Sequence, residues 1–517
     1  MLAIGALWAA GSLPEGRRWW SHVEYLAGDQ LEGRNTGSAG HRKAAEYVAT
    51  QFERSGLQPA GTASYLQPVR LKTRRLIPTE SSLALVRENA VRPLVLGEDA
   101  IISVRVDPAE SLEAPLVFAG YGLTIPERHI DDLAGLNLRG KIIVYLSGAP
   151  RDLPGPLAAH YQSASERSRY LRQAGVIGAV SLLNPDNLEI PWSRTAASAL
   201  QMSMSLADPV LDESRGIQLH VIANPDRAET LFAASGHSFR EILAAARSGK
   251  PLPRFPLNAS LRALVRVERG EVESQNVAGI LPGKDPVLKK QYVVLSAHLD
   301  HLGVGAPVLG DRIYNGAMDN ASGIASLLDI AQSLHDSGTH LRRSLLFVAV
   351  TGEEKGLLGS KYFAHEAAHT EHMVANLNMD MFLPLFPLHS ITVYGLNESD
   401  LGETARRVAA SLGIGIQDDR EPQRNLFIRS DQYSFIRQGI PALAFKLGYE
   451  PGSPEEQTVK KWLHERYHAP SDDLAQPVDR EAAARFNTFV RTLAITVAND
   501  AQAPHWKQES FFRRFAR

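Results

Sequence analysis

The sequence predicts an α/β protein with a mixed, mostly parallel central sheet that helices cover on both faces, together with an inserted β-rich domain. Three observations predict this fold class. The 517 residues are too many for one ordinary hydrophobic core, so two or three domains are expected. From about residue 275, near-continuous apolar runs alternate with helical patterns, which is typical of sheets buried on both faces. Between about residues 75 and 265, the chain carries short β-rich runs separated by proline and glycine.

Four segments follow one another along the chain. Residues 1–14 are a possible remnant of a secretory signal, because their opening "MLAIGALWAAG" is apolar and ends in small residues, although the basic leading segment is missing. Residues 15–75 are expected to form the N-terminal part of a main domain, with an amphipathic helix that stops at Gly56. Residues 76–265 form the β-rich insert, and residues 266–517 form the larger part of the main domain.

Apolar runs predict the strands of the main domain. The runs are "NVAGILPG", "QYVVLSA", "SLLFVAV", "ITVYG" and "IPALAFK". Between the second and third of them, "NASGIASLLDIAQSLHDSG" has apolar residues at helical spacing from Ile324 to Leu334, and Gly338 closes this predicted helix. Ligands of such sheets bind beyond the carboxyl ends of the strands. The residues that follow each strand are therefore the first candidates for a functional site.

The composition excludes several classes of protein. With 55 basic and 57 acidic residues the net charge is -2, so we expect no nucleic-acid partner. No apolar run approaches the roughly 18 residues needed to cross a bilayer, so we expect no membrane insertion. Cysteine is absent, which excludes disulfides, thiolate ligands and cysteine nucleophiles. Any metal must therefore be bound by nitrogen and oxygen, and the oligomeric state stays open.

Titratable residues gather at the predicted strand ends. Some follow "VVLSA" and "LLFVAV", one ends "MVANLNMD", one begins the long helix, and one lies in the loop of "WLHERYHAPSDDL". Because the carboxyl ends of parallel strands share one edge of a sheet, we expect these side chains to converge. The set comprises His298, Asp300, Asp319, Glu353, Glu354, Asp380 and His468.

The simplest physical reason for gathering carboxylates is a cation. Two divalent ions carry a charge of +4, whereas the candidate ligands supply three negative charges and two neutral nitrogens, which leaves positive charge for a hydroxide and an oxyanion. One carboxylate must bridge metals that lie about 3.5 to 4 Å apart, and Asp319 is the best candidate. The candidate ligands are His298, Asp319, Glu354, Asp380 and His468.

Three further residues are candidates for catalysis. Side chains of neighbouring residues in an extended turn point in different directions, so Glu354 can bind metal while Glu353 exchanges protons with water and with the leaving amine. Asp300 can accept the second N–H of the His298 imidazole and thereby fix its tautomer. Tyr467 can donate its phenol hydrogen to a developing oxyanion. We assign His301 no role in the site and interpret the neighbouring acids 472 and 473 as a solvated turn.

Five motifs resemble one known family. "SAHLDHLG", "GAMDNASG", "VTGEEKGLLGS", "NLNMDM" and "YHAPSDDL", in this order, are similar to the cocatalytic dizinc aminopeptidase family, which is related to glutamate carboxypeptidase II and the transferrin receptor. The resemblance covers about residues 275–500 and the early stretch "LEGRNTGSAGHRKAAEYV". It implies the zinc exopeptidase fold, and it implies that the insert is a protease-associated domain that shapes substrate access.

The resemblance also implies individual roles. His298 and Asp380 would hold one zinc ion, Glu354 and His468 the other, and Asp319 both. Glu353 would be the general base and acid, and a tyrosine at the position of Tyr467 polarises the scissile carbonyl in some bacterial members. Zinc is the expected metal, although Mn²⁺ or Co²⁺ could occupy the same site. Relatives often have histidine where this chain has Gln432, which puts a substrate role of that loop in doubt.

The predicted function is that of an exported, dizinc-dependent aminopeptidase that hydrolyses N-terminal peptide bonds by metal-bound hydroxide. Its partner would be a peptide, and its compartment the periplasm or the extracellular space. Three alternatives stay open: a carboxypeptidase or dipeptidase of the same family, a receptor-like protein without activity, and a zincin. The zincin alternative rests on "HERYH", which matches H-E-x-x-H with His464, Glu465 and His468.

Overall fold

The computed structural model describes residues 14–516 apart from 89, 189, 214, 367–371 and 425. Pro14 begins the first helix, and the rest of the predicted signal remnant lies outside the described residues. In this part of the chain, no helix has the length and apolarity that crossing a bilayer requires.

Thirteen α-helices and 22 strands are described over these ranges. The helices are α1 (Pro14–Leu26), α2 (Ala39–Arg54), α3 (Gly155–Gln162), α4 (Ala164–Gln173), α5 (Trp192–Ser198), α6 (Glu229–Phe232), α7 (Phe239–Arg247), α8 (Ser322–Ser337), α9 (Leu358–Glu366), α10 (Leu401–Ser411), α11 (Gln432–Ile436), α12 (Pro454–Glu465) and α13 (Arg480–Asn499). The strands are β1 (Gln58–Pro59), β2 (Leu66–Leu76), β3 (Ser82–Arg87), β4 (Ala90–Leu94), β5 (Ala100–Ile102), β6 (Ser111–Ala119), β7 (Thr124–Ile125), β8 (Ile130–Asp131), β9 (Ile142–Leu146), β10 (Gly178–Leu182), β11 (Ser203–Leu206), β12 (Leu219–Ala223), β13 (Arg254–Leu264), β14 (Val267–Leu281), β15 (Tyr292–His298), β16 (Gly303–Val308), β17 (Asp311–Tyr314), β18 (Ser344–Val350), β19 (Met373–Asn378), β20 (Ser390–Tyr394), β21 (Gly415–Gln417) and β22 (Ala442–Gly448).

The main domain is built on a ten-stranded mixed sheet. Its strand order is β11-β2-β14-β18-β15-β19-β22-β20-β21, and β1 pairs with β14. The four central strands β18, β15, β19 and β22 run parallel, whereas β14 and β20 join them antiparallel on either side. The predicted mixed sheet is confirmed, but it is parallel mainly at its centre, because β1, β2, β11, β14 and β20 pair antiparallel.

Both faces of this sheet are apolar because helices cover both. Alternate residues of β18 belong to two different core clusters, as the period of two in a strand requires. One cluster includes apolar residues of α1, α2, α8 and α13, and the other includes those of α9 and α11. The two sets in β18 are Leu345, Phe347 and Ala349, and Leu346, Val348 and Val350. Because both sets are buried, the sequence of β18 is a continuous apolar run.

A second sheet of eight strands lies within residues 82–264. Its order is β4-β3-β13-β6-β9-β10-β12-β5, and it has a hydrophobic core of its own. One strand from the predicted insert belongs elsewhere, because β11 pairs antiparallel with β2 in the main sheet. A run of four alternating residues shows that a strand forms but carries no information about which sheet it joins.

Candidate metal centre

The carboxyl ends of three parallel strands meet at one edge of the main sheet. β15 ends at His298, which lies in register with Val350 at the end of β18. β19 ends at Asn378, two residues before Asp380. Side chains that are far apart in the sequence therefore become neighbours at this edge.

Asp319 stands between two groups of possible ligands. Its Oδ1 lies 3.2 Å from Nε2 of His298, and that nitrogen is 3.4 Å from Oδ1 of Asp380. Its Oδ2 lies 3.3 Å from Nε2 of His468, and that nitrogen is 3.2 Å from Oε2 of Glu354. The structure thus brings together all five predicted ligands, and each oxygen of Asp319 faces a different histidine.

The donor atoms fit a metal. Nδ1 of His298 faces the backbone carbonyl oxygen of Asp300 at 3.1 Å, and a carbonyl can only accept, so Nδ1 carries the hydrogen. In the neutral ring Nε2 then presents a lone pair to oxygens of Asp319 and Asp380. Nε2 of His298 and Oδ1 of Asp380 are both buried without a well-aligned hydrogen bond. Buried electron-pair donors that converge in this way need a cation.

The charges of the metal-free site depend on one another. Burial favours the neutral form of His298, but Asp319 and Asp380 outweigh burial and raise its pKa well above the ordinary value. Burial and the charge of Glu354 act to raise the pKa of Asp319, yet hydrogen bonds with His298 and His468 hold that pKa below the ordinary range. In the metal-free site, protons on the histidines thus supply the positive charge that stabilises the carboxylates, and a bound divalent ion would supply that charge instead.

The adjacent glutamates point to different places, as predicted. Glu354 faces His468, whereas Glu353 lines a small cavity of about 70 Å³ together with Asp380 and Tyr467. Burial, followed by the charges of neighbouring carboxylates, raises the pKa of Glu353 well above its ordinary value although His298 opposes the shift. The carboxyl of Glu353 therefore lies beside the ligand cluster without belonging to it.

Asp300 acts differently from the prediction. Its backbone carbonyl, and not its carboxylate, accepts the hydrogen of His298, because the carboxylate Oδ1 is 4.0 Å from Nδ1. The fully buried carboxylate accepts from the hydroxyl of Thr36 at 2.8 Å and from the backbone N–H of Glu353 at 3.1 Å. Asp300 thereby ties the turn of the paired glutamates to the N-terminal segment.

Tyr467 lies beside the ligands. Its ring stacks on the imidazole of His468, with 4.0 Å between ring centroids, and it lines the small cavity with Glu353 and Asp380. Burial raises the pKa of Tyr467 to about 12, although His468 opposes the shift. The phenol is therefore a hydrogen-bond donor at any pH at which the protein would work.

His301, to which the sequence assigned no role, lies in the site. Its Nδ1 is 2.8 Å from Oε1 of Glu354 and 3.9 Å from Oδ2 of Asp319, and the residue is fully buried. His301 and His468 thus face different oxygens of the Glu354 carboxylate. The sequence feature that could have identified His301 is its position, one residue after Asp300 and shortly beyond the end of β15.

Asp472 also departs from the prediction, because it is not part of a solvated turn. Its buried carboxylate accepts from the backbone N–H groups of Met318 and Asp319 at 2.9 and 3.0 Å. The side-chain amide of Gln476 donates to it at 2.6 Å. Asp473, by contrast, keeps a partly exposed side chain. Asp472 thereby fixes the backbone at Asp319, the residue that lies between the two groups of possible ligands.

Arg34 fixes the same region from the N-terminal segment. Its fully buried guanidinium donates to the carbonyl oxygens of Leu299 at 2.9 Å, Asn315 at 2.7 Å and Gly316 at 3.0 Å. It also donates to the carbonyl of Leu26. Four backbone acceptors from three segments thus depend on one side chain.

Gln432 occupies the position at which relatives often have histidine. Its Oε1 accepts from Nδ2 of Asn378 at 2.8 Å, and its Nε2 donates to the carbonyl of Phe427 at 2.9 Å. The buried amide joins the end of β19 to the loop before α11. Both ends of the Gln432 side-chain amide therefore form hydrogen bonds with other residues of the protein.

The zincin alternative is wrong. In that motif both histidines lie on one face of a helix. Here α12 ends at Glu465, and His468 follows in a turn with a φ of 55°. His464 and Glu465 are both exposed, away from the ligands that His468 faces.

A family model matches this part of the chain. Residues 276–494, which contain every predicted ligand, match the model described as Peptidase family M28. Over these residues the chain is similar to peptidase family M28. The predicted resemblance to cocatalytic zinc aminopeptidases is thereby confirmed for the M28 region, which comprises most of the main domain.

Individual relatives match over similar lengths. The probable leucine aminopeptidase 2 of Aspergillus fumigatus is 28% identical over 240 residues, which cover 44% of this chain and 44% of the relative. Aminopeptidase Y of Saccharomyces cerevisiae is 26% identical over 209 residues, covering 40% of this chain and 35% of the relative. The chain thus spans less than half the length of these curated relatives.

Solved structures resemble most of the chain in fold. The aminopeptidase of an Aneurinibacillus strain superposes with a TM-score of 0.55 at 18% identity over 93% of both chains. A zinc aminopeptidase of Bacillus subtilis superposes with a TM-score of 0.51 at 19% identity, covering 95% of this chain and 97% of the other. These similarities confirm the predicted fold class.

We expect Asp472→Asn to weaken zinc binding about 10- to 100-fold, because both carboxylate oxygens accept hydrogen bonds here and the amide replaces one of them with an NH2 group that faces other donors. Competition with a chromophoric chelator measures the affinity. Asp473→Asn is the matched control and should leave it unchanged. Equal affinity of both variants would mean that the loop keeps its position without Asp472.

Proposed function

We propose that the protein is a metal-dependent aminopeptidase that holds two zinc ions and removes N-terminal residues from peptides. The main support is the position of Asp319, whose two carboxylate oxygens face separate histidine–carboxylate pairs. A carboxylate between two such groups is what a two-metal site needs. Mn²⁺ or Co²⁺ would fit the same nitrogen and oxygen donors.

The distances support one set of ligands. His298 and Asp380 would hold one ion, Glu354 and His468 the other, and Asp319 both. Bound metal supplies Lewis acidity toward a carbonyl oxygen and lowers the pKa of water. His301 would orient Glu354 by donating a hydrogen bond to the carboxylate oxygen that faces away from His468.

The remaining steps belong to groups of the chain. Glu353 would take a proton from the attacking water and deliver it to the nitrogen of the leaving amine. Its backbone is fixed by Asp300, and its carboxyl lies in the small cavity beside Asp380. The phenol of Tyr467, in the same cavity, would donate to the carbonyl oxygen as negative charge develops there.

The small cavity favours exopeptidase action. Its volume of about 70 Å³ leaves room for a single side chain, and Met381, Leu463 and Tyr467 contribute to its wall. The lining also includes Arg424, Arg429 and Lys446, so a free α-amine would meet negative charge only where Asp380 and Glu353 lie. We therefore infer that the N-terminal residue of the peptide occupies the small cavity.

We also propose that residues 76–265 act as a protease-associated domain that shapes substrate access. The support is a cavity of about 520 Å³ that both the insert and the metal edge line. Export to the periplasm or the extracellular space is a further proposal, which rests on residues 1–14. Fractionation of cells that produce the full chain, compared with a chain lacking these residues, tests it.

We expect purified protein to contain two zinc ions per chain and to cleave aminoacyl-anilides and peptides with a free N-terminus. Acetylation of the N-terminus should abolish cleavage, because the amine no longer carries a charge for the small cavity. Metal analysis and a peptide scan with mass-spectrometric readout measure both. Release of C-terminal residues from acetylated peptides would support the carboxypeptidase alternative, and zinc-free, inactive protein would support the receptor-like one.

A further inference from the structure

A large cavity joins the metal edge to the insert. It has a volume of about 520 Å³, and Glu354 and His468 lie in its wall on the main-domain side. The opposite wall comes from the insert and includes Ile101, residues 103–106 and some residues of α4 and β12. A peptide bound at the metal edge with its first residue in the small cavity would extend into this space.

Basic side chains dominate the polar lining of the cavity. Among the described lining residues, Glu354 carries the one carboxylate, and it already faces two histidines. No carboxylate of the described residues lies within 4.0 Å of any of the four basic groups in the wall. These four are Arg105, Arg167, Arg194 and Lys355.

Two of these cations lie where the insert meets the metal edge. Nη2 of Arg105 donates to the backbone carbonyl of Glu354 at 3.3 Å. Nη1 of Arg194 donates to the backbone carbonyl of Tyr467 at 2.8 Å. Carbonyl oxygens satisfy these N–H groups but leave the positive charge without a counter-charge. Lys355, which is 7% exposed, adds a third cation beside Glu354.

Arg167 is the cation with unused hydrogen-bond donors. Its guanidinium lies over the ring of Tyr145, with 4.3 Å between the guanidinium carbon and the ring centroid. Its Nε and Nη2 are buried and have no hydrogen-bond partner among the described residues. Buried donors of a charged group cost free energy unless an acceptor reaches them.

The neighbouring histidine responds to the same excess of positive charge. Burial, followed by the charges of Arg167 and Arg105, lowers the pKa of His220 to about 4. His220 is part of the cavity wall. His220 is therefore neutral and adds no charge, so the positive potential that favours an anion comes from the guanidinium groups.

We propose that the large cavity binds a carboxylate of the peptide substrate, beyond the scissile bond, with Arg167 as its principal partner. This inference rests on the proposed aminopeptidase function. A guanidinium with two free N–H groups pairs with a carboxylate in bidentate fashion. The carboxylate can come from an acidic side chain or from the C-terminus of a short peptide, since both carry the same group.

Two pairs of substrates distinguish these sources. Leucyl-glutamate α-amide is compared with leucyl-glutamine α-amide, and leucyl-alanine with leucyl-alanine amide. The acidic member of at least one pair should have a kcat/KM about 10- to 100-fold higher, which is typical of a hydrogen-bonded charge pair. Arg167→Met should remove this preference and leave cleavage of leucyl-alanine amide within about threefold of wild type.

Three further variants separate charge from structure. Arg167→Lys keeps the charge and should retain part of the preference, and Arg105→Met should weaken it. Arg172→Met on the same helix is the matched control, because Arg172 donates to the carbonyl of Arg215 outside the cavity lining, and it should change nothing. A preference that survives both Arg167→Met and Arg105→Met would overturn the proposal.

A binding measurement keeps the two proposals apart. Calorimetric titration of the zinc-loaded protein with glutarate should give an affinity at least tenfold weaker in Arg167→Met than in wild type or Arg172→Met. Equal glutarate affinity in all three would overturn the carboxylate site whether or not peptides are cleaved. Absence of cleavage of leucyl-alanine amide by wild type, with the glutarate difference present, would instead contradict the aminopeptidase function.

Discussion

Replacing Glu353 by glutamine should lower kcat about 10²- to 10⁴-fold while zinc content stays at the wild-type value. The amide has the size of the carboxylate but cannot take up a proton. Because Glu353 lines the small cavity and forms no ion pair with a ligand histidine among the described residues, its loss should not release metal. Steady-state kinetics on an aminoacyl-anilide and atomic absorption on the same sample measure the two quantities.

The matched control for Glu353→Gln is Glu465→Gln. Glu465 is exposed at the end of α12, so its substitution should leave both kcat and zinc content unchanged. Loss of zinc together with activity in Glu353→Gln would show that Glu353 is a ligand. Full activity of that variant would require another base.

Replacing Arg34 by methionine should lower the free energy of unfolding by about 3 to 5 kcal/mol. Methionine fills the space, but four buried backbone carbonyls from three segments lose their donor. Each unsatisfied buried group costs about 1 to 3 kcal/mol, and partial relaxation reduces the sum. Urea unfolding of the metal-free protein measures the change without a contribution from bound zinc.

Arg42→Met provides the comparison for Arg34→Met. Arg42 is exposed on α2, eight residues further along the same segment, and its substitution should change the free energy of unfolding by no more than about 0.5 kcal/mol. Equal stability of the two variants would mean that water reaches the four carbonyls. The region beside Asp319 would then not depend on the guanidinium.

Much of the fold was predictable because local patterns determined it. The seven apolar residues of "SLLFVAV" form a strand buried on both faces, and the spacing from Ile324 to Leu334 forms α8. Strand β11 was assigned to the insert because its four residues do not indicate which strand they pair with. Its pairing with β2 depends on residues more than 120 positions away.

The site also contains residues that local sequence patterns predict and residues that only contacts between remote segments identify. Strand ends and family motifs were enough to select the residues that Asp319 faces, and the structure brings them together. The roles of His301 and Asp472 were missed. Asp472 accepts a hydrogen bond from the backbone N–H of Asp319, which lies 153 residues away in the sequence. No local sequence pattern predicts such a contact.

The amino-acid sequence by itself determined the chemistry of the donors, because residue identity decides what each atom can bind and strand periodicity decides which side chains reach a sheet edge. Only the tertiary structure decided which oxygen of Asp319 or Glu354 faces which histidine, and that the carbonyl of Asp300 replaces its carboxylate beside His298. It also decided that cations of the insert surround the space beyond the metal edge. The physical reason is that these arrangements depend on distances between segments remote in sequence, which packing sets and local propensity does not.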